Sequence, residues 1–287
     1  MVGVVGAGRM GQGIAHAYLL AGCRVVMVDV DQDACARARK QVAGMLERSA
    51  ERVGMPVPVD EITELLELAT DISALHGCGL VVEAVPEDVS LKRTLLSRVE
   101  RQLSGDAVLA TNTSSISITE LATVLSEARR FVGMHFFNPV PASALVEVVA
   151  GKATDQGTIE VAQSAVHAIG KEAIVVYDSP GFASSRMGVL LGLEAVRMVE
   201  AGVASAEDID RAMVLGYRHP MGPLRLTDLV GLDVRLSIAE YLYERLGERF
   251  EPPQLLRRMV AAGLLGRKTG HGFFHYDDAG VAHGRTA

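Results

Sequence analysis

Short apolar runs rich in β-branched residues alternate along the first part of the chain with stretches whose apolar positions recur at helical spacing. "MVGVV" ends in "GAGRMGQG", and "IAHAYLLAG" then reads as a helix that stops at Gly22. "RVVMVDVD" is a second buried strand, followed by a long helix, "QDACARARKQVAGMLERSAERVG". A third strand is predicted over Leu80 to Val85, and "VSLKRTLLSRVERQL" after it is an amphipathic helix. "AVLATNTSS" is a strand running into polar residues, and "SITELATVL" is a helix with Ser117 placed to cap it. "RFVGMHF" and "LVEVVAG" are two more strands, "DQGTIEVAQSAVHAIG" a helix, and "KEAIVVYD" a last strand.

Strands alternating with helices at this spacing imply β-α-β units, an α/β fold and a mostly parallel sheet. The alternation stops near Asp178. Beyond "SPGF" the apolar positions keep helical spacing, with no convincing strand before "GFFHY". The expected organisation is a Rossmann-type domain over residues 1–178 and an all-helical C-terminal domain over 179–287. In the second, Ser205 with Asp208 three residues on is close to a capping box. Pro139, Pro141, Pro180, Pro220 and Pro223 fall at the breaks.

Composition narrows the function classes. The chain has 287 residues, 49% hydrophobic and 22% charged, enough for a substantial core. A net charge of −7 argues against nucleic acid or an anionic membrane as the main partner, both of which need a basic surface. Three cysteines, none in a C-x-x-C pair, suit a reduced, cytoplasmic protein without a zinc knuckle, and no metal is expected. Neither a signal peptide nor a membrane span is expected.

Gly6, Gly8 and Gly11 form G-x-G-x-x-G between a predicted strand and a predicted helix. The first glycine allows a tight turn, the second a close approach of backbone amides to a pyrophosphate, the third close packing of helix on strand. Asp29 ends the second strand at about the ~20-residue distance of a ribose-binding carboxylate. Such a carboxylate accepts the 2′-hydroxyl and repels a 2′-phosphate, which favours NAD over NADP. Asp31 is an alternative ribose contact if the strand runs longer, and FAD is a formal alternative cofactor.

Ligands of open α/β sheets bind beyond the C-terminal strand ends. Polar residues gather at those ends: Glu87, then Asn112, Ser114 and Ser115, then His135 and Asn138. Imidazole can accept a proton from an alcohol near neutral pH, and Glu147 on the next strand could orient it. A buried structural His–Glu pair is the plainer alternative.

"HFFNPVPASALVEVV", "TNTSSISI", "VVEAVPED", "DSPGF" and "GRKTGHGFF" together closely resemble the L-3-hydroxyacyl-CoA dehydrogenases, over nearly the whole chain. The resemblance implies reversible, NAD-dependent oxidation of an L-3-hydroxyacyl-CoA, short-chain substrates such as 3-hydroxybutyryl-CoA included. It implies that His135 is the base, Glu147 its partner, Ser114 a contact to substrate and cofactor, and Asn138 a group at the substrate carbonyl and nicotinamide. Glu87, Lys92 and Lys268 match cofactor-contacting positions, and Asn112 lies in the same strand-end cluster. Arg52, with Arg48 one turn earlier, falls near a basic position for the CoA phosphate. A homodimer through the C-terminal domain is also implied. One departure stands out. Where the family carries an asparagine that reaches the active site, in P-G-F-x-x-N-R, this chain has Ser185, which suggests altered substrate preference within the same chemistry. The alternatives are the same reaction on a carrier-protein thioester or a free hydroxy acid, and a non-catalytic NAD-binding or structural protein.

Overall fold

The computed structural model describes residues 1–53, 58–277 and 282–283. The chain divides into two compact units, Met1–Ser179 and Pro180–Ala287.

The first unit runs β1 (Val2–Val5), α1 (Arg9–Leu20), β2 (Val25–Val28), α2 (Gln32–Val53), α3 (Val59–Thr63), β3 (Leu66–Ala69), β4 (Leu80–Glu83), α4 (Val89–Glu100) and β5 (Val108–Thr111). It continues through α5 (Ile118–Ala122), β6 (Phe131–Phe136), β7 (Leu145–Ala150), α6 (Gln156–Ala168) and β8 (Glu172–Tyr177). These strands form one eight-stranded sheet in the order β3-β2-β1-β4-β5-β6-β7-β8. The order reverses at β1, which has β2 on one side and β4 on the other. A ligand crevice is expected at the C-terminal ends there.

Every residue of β1, β2, β4 and β5 is buried, as their continuous apolar runs require for strands covered on both faces. Ile14 and Leu19 of α1 and Val42 and Leu46 of α2 are fully buried in the same core as Val4 and Met27. Each such side chain contributes roughly 1.5–3 kcal/mol. Asp88 caps α4 by accepting the Leu91 N–H at 2.7 Å, Ser117 caps α5, and Asp155 caps α6 by accepting the Thr158 N–H at 2.7 Å.

All neighbouring strands are parallel except β6 and β7. The connection between those two, residues 137–144, is shorter than the dozen or so residues that a parallel crossover needs, so the chain must return antiparallel. This reversal sets His135 directly opposite Glu147.

β3 is a strand that the hydrophobic pattern does not announce. "LELA" is a four-residue edge strand with Glu67 exposed, too short for its alternation to stand out. The strand expected over Leu80 to Val85 ends at Glu83, and the helix expected from Ile14 begins at Arg9, directly behind Gly8.

The second unit holds α7 (Ser184–Glu200), α8 (Ala206–Arg211), α9 (Pro223–Val230), α10 (Leu232–Leu246) and α11 (Gln254–Ala261). A short hairpin, β9 (His275–Tyr276) with β10 (Ala282–His283), follows. Ser205 caps α8 through the Asp208 N–H, and its hydroxyl donates to the Asp208 carboxylate at 2.7 Å. Val189, Leu193, Leu224, Leu232 and Leu242 lie at the centre of this unit's core. Asp228 is buried among them. It accepts the Phe273 and Phe274 N–H groups and the Tyr276 hydroxyl, each at 2.9 Å. Burial pushes its carboxyl above the usual carboxylate range, against those three bonds. Among the described residues no helix is long and apolar enough to cross a membrane.

Candidate active site

The turn after β1 has the geometry of a pyrophosphate cradle. Gly6 sits at φ +107°, a conformation that side-chain-bearing residues rarely adopt. A Cβ at Gly11 would fall 1.9 Å from the Gly6 carbonyl oxygen, so glycine is needed there for α1 to lie on β1. Around Gly8 the space is open. A cavity of about 390 Å³ adjoins the turn, lined among others by Gly6, Gly8, Gln12, Asp29, Arg37 and Pro86. Asp29 accepts the Ala7 N–H at 2.8 Å through one carboxylate oxygen and the Asp31 N–H at 3.1 Å through the other. Asp31 does not line this cavity. It accepts the Asp33 N–H at 2.9 Å at the start of α2 and pairs with Arg37 at 3.1 Å. The Asp33 N–H is the main cause holding its carboxyl below the usual range. Of the two aspartates considered for the ribose, Asp29 is thus the one on the cavity wall.

Behind the ends of β4 and β5 lies a polar network with a member that the sequence did not single out. Glu83 is fully buried, and Lys92 donates to both its carboxylate oxygens, at 2.8 and 3.0 Å. Thr111 donates to it at 2.6 Å and the Val85 N–H at 2.7 Å. An ion pair this buried is sustained by such additional bonds. Lys92 is itself fully buried and also donates to the Val85 carbonyl at 3.3 Å. Its ammonium therefore organises the strand ends, and Glu87 lies 3.6 Å away. Glu87 Oε1 accepts the Thr113 hydroxyl at 2.6 Å, the Ser114 N–H at 3.0 Å and the Ser115 N–H at 3.2 Å. It thereby shapes the loop that presents Ser114. Asn112 accepts the Phe136 N–H at 2.9 Å and so ties the end of β5 to the end of β6.

His135 and Glu147 meet across the antiparallel pair, with Nδ1 to Oε2 at 2.7 Å. His135 is 7% exposed and Glu147 is fully buried. An ionised carboxylate only accepts, so Nδ1 carries the proton and Nε2 is the basic nitrogen of the neutral ring. The Phe137 ring lies against the imidazole, centroids 4.5 Å apart. The loop that follows, with the exposed Asn138, is held by Lys171, which donates to the Val140 carbonyl at 2.8 Å and the Ser143 carbonyl at 2.5 Å. Burial lowers the Lys171 ammonium from its ordinary value.

A second cavity, of about 300 Å³, is lined by residues of this loop, α1 and α2. Its walls include Arg9, His16, Arg48, Arg52, Asn138 and Val140. Three arginines among the lining residues, Arg9 from α1 and Arg48 and Arg52 from α2, suit a phosphate-bearing ligand. His16 bonds Ser49 Oγ at 3.0 Å, and burial lowers it from the ordinary histidine value.

The remaining two residues belong to the second unit. Ser185 is half-buried in the first turn of α7. Lys268 pairs with Asp233, at 2.5 and 2.6 Å to its two oxygens.

A Gly-rich strand–turn–helix at the switch point of a parallel sheet, with a carboxylate ending the second strand, defines a dinucleotide-binding protein of Rossmann type. Family models agree and are more specific. Residues 1–179 match the 3-hydroxyacyl-CoA dehydrogenase NAD binding domain, and residues 181–276 match the 3-hydroxyacyl-CoA dehydrogenase C-terminal domain. The chain is 42% identical over 286 residues to the 3-hydroxybutyryl-CoA dehydrogenase of Mycobacterium tuberculosis, covering 96% of this chain and 98% of that protein. It is 40% identical over 275 residues to a probable 3-hydroxybutyryl-CoA dehydrogenase of Deinococcus radiodurans, covering 96% and 99%. Among solved structures, (S)-3-hydroxybutyryl-CoA dehydrogenase from Ralstonia eutropha is similar at a TM-score of 0.92 and 41% identity, covering 96% of this chain and 99% of that one. The chain belongs to the 3-hydroxyacyl-CoA dehydrogenase family.

Proposed function

We propose that the protein is an NAD-dependent L-3-hydroxyacyl-CoA dehydrogenase, acting on short-chain substrates such as 3-hydroxybutyryl-CoA, with His135 as its acid–base residue. The observation that carries the reading is the 2.7 Å bond between His135 and the buried Glu147, across the β6–β7 pair of the same sheet whose β1 leads into the dinucleotide turn. Gly6, Gly8, Gly11 and Asp29 would hold the dinucleotide, and the open space at Gly8 fits a pyrophosphate. The chemistry that a nicotinamide held there would supply is hydride exchange with C3 of the substrate.

The chain's own residues supply the rest. In oxidation His135 Nε2 takes the proton of the C3 hydroxyl, and Glu147 stabilises the imidazolium that forms. In reduction the same nitrogen returns the proton. Ser114 and Asn138 are assigned to the substrate carbonyl and nicotinamide, Glu87, Lys92, Asn112 and Lys268 to the cofactor side, and Arg52, with Arg48 and Arg9 beside it, to the CoA phosphate. For Lys92 the assignment is a positioning role through Glu83 and Glu87, since its ammonium is buried against them. Ser185 is assigned to the substrate. We also propose a cytoplasmic homodimer through the second unit, which exposes Met187, Leu191, Leu226, Leu229, Val230 and Val234.

The test is a substrate panel. Acetoacetyl-CoA should oxidise NADH rapidly and NADPH slowly, and the corresponding carrier-protein thioester and free oxo acid should be poor substrates. Tight NADH binding without turnover on any of these would favour the non-catalytic alternative.

A further inference from the structure

His16 carries no role in the scheme above, yet it lines the cavity assigned to the CoA phosphate. It stands on α1, is 2% exposed, and its Nδ1 is buried with no hydrogen-bond partner among the described residues. The other ring nitrogen is committed. Ser49 Oγ donates its proton to the Met45 carbonyl at 3.0 Å, so toward His16 Nε2, also at 3.0 Å, it can only accept. The neutral ring therefore keeps its proton on Nε2 and leaves Nδ1 as a bare, buried base.

The charges around this base are all positive. Arg9 of its own helix and Arg48 and Arg52 of α2 line the same cavity, and no aspartate or glutamate is among the described residues that do. Among the described residues none of the three arginines pairs with a carboxylate. Burial, chiefly, holds the ring below the ordinary histidine value. Arg48 and Lys171, the residue before β8, act in the same direction, against the Met45 carbonyl. The remaining wall is the loop that follows His135, which carries no charge there. A Cβ at Gly13 would fall 2.8 Å from Val140 Cβ, so α1 and this loop are packed closely. Within CoA the diphosphate bears a single charge on each phosphorus. The 3′-phosphomonoester approaches a dianion, its second pKa lying at about 6. Three unpaired guanidiniums, with a base able to add a fourth positive charge, match the phosphomonoester.

We propose that His16 is a specificity residue for the CoA handle: it is neutral in the free protein, takes one proton from solvent onto Nδ1 when the 3′-phosphomonoester enters, and so selects a dianionic handle over one that lacks this group. The proposal rests on the dehydrogenase reading and on the assignment of this cavity to the CoA phosphate, and deepens both. The dianion offsets the charge that burial and the neighbouring cations otherwise oppose. The gain in binding is full below the free value of the ring and is lost as pH rises through the higher value in the complex.

The test is the ratio of kcat/KM for acetoacetyl-CoA to that for acetoacetyl-dephospho-CoA, followed between about pH 6.5 and 8.5. The division cancels the titration of His135, which is common to both substrates, and the phosphomonoester is already largely dianionic over this range. For the native protein the ratio should be on the order of a hundredfold at the acid end, the worth of a charge-assisted contact. It should fall by about tenfold toward the alkaline end, within the limit of tenfold per pH unit for one proton. His16→Gln places there a polar side chain that cannot be protonated, and its ratio should start lower and stay level. A native ratio near one at every pH, or one that does not fall, overturns the proposal without any variant. The same fall in folded His16→Gln overturns it as well, since the titration would then belong to another group such as Lys171. Failure of the native protein to reduce acetoacetyl-CoA at all would instead overturn the dehydrogenase reading beneath it.

Discussion

Glu147→Gln changes one oxygen to an amide nitrogen and keeps the volume of the side chain. What it removes is the negative charge 2.7 Å from His135 Nδ1, at a site with no exposure. In oxidation His135 becomes a cation as the hydroxyl proton moves to Nε2. With charge centres roughly 4 Å apart and an effective dielectric constant of about 20, the carboxylate stabilises that cation by about 4 kcal/mol. At 1.36 kcal/mol per decade this is about a thousandfold in kcat. The variant should bind NADH normally, because Glu147 stands on β7, separated in the sheet from β1 and its glycine turn by β4, β5 and β6. With no tryptophan in the chain, NADH fluorescence reports that binding directly. The assay is 3-hydroxybutyryl-CoA oxidation followed by NADH appearance, with the dissociation constant for NADH measured alongside. A kcat within about threefold of the native enzyme would refute the reasoning, since the carboxylate would then be serving the fold alone.

Other outcomes follow from the same geometry. Asp29→Ala removes the proposed ribose acceptor and leaves the Ala7 N–H without its partner. KM for NADH should rise about tenfold or more and the preference over NADPH should shrink, as steady-state kinetics with both cofactors will show. Asp228→Ala strands two buried N–H groups and the Tyr276 hydroxyl. At roughly 1–3 kcal/mol each, the loss should reach 3 kcal/mol or more in denaturant unfolding. Asp155 has its carboxyl held below the usual range, chiefly by the Thr158 N–H at the start of α6. Its contribution is present above the ordinary aspartate value of about 4 and is lost as pH falls through the lower folded value. Asp155→Ala should therefore cost about 1 kcal/mol at neutral pH and progressively less in acid.

How far this could be read from the sequence depended on whether a residue's environment is local. The glycine turn and the first two strands are contiguous patterns whose chemistry is carried by neighbouring residues, and Asp29 lines the cavity beside that turn. The pairing of His135 with Glu147 was legible because the strands are successive and their connection is too short for a crossover. Glu83 was passed over although a carboxylate inside "LVVEAV" is itself a signal, since a charge in a buried strand requires a partner. That partner, Lys92, lies in the next helix, where the resemblance marks it as a cofactor contact and nothing in the local pattern ties it to Glu83. Lys171 was equally silent. It directly precedes β8, about 30 residues along the chain from the carbonyls it binds. β3 escaped notice because four residues at a sheet edge carry too little periodicity.

The central claim is that His135 moves the proton. Its most direct test is His135→Gln, assayed with acetoacetyl-CoA and NADH while NADH binding is followed by fluorescence. The account predicts an unchanged dissociation constant and a kcat lowered by about 10³-fold or more, as for loss of a general acid–base group together with its oriented partner. Turnover near the native rate in a variant that binds NADH normally would contradict it.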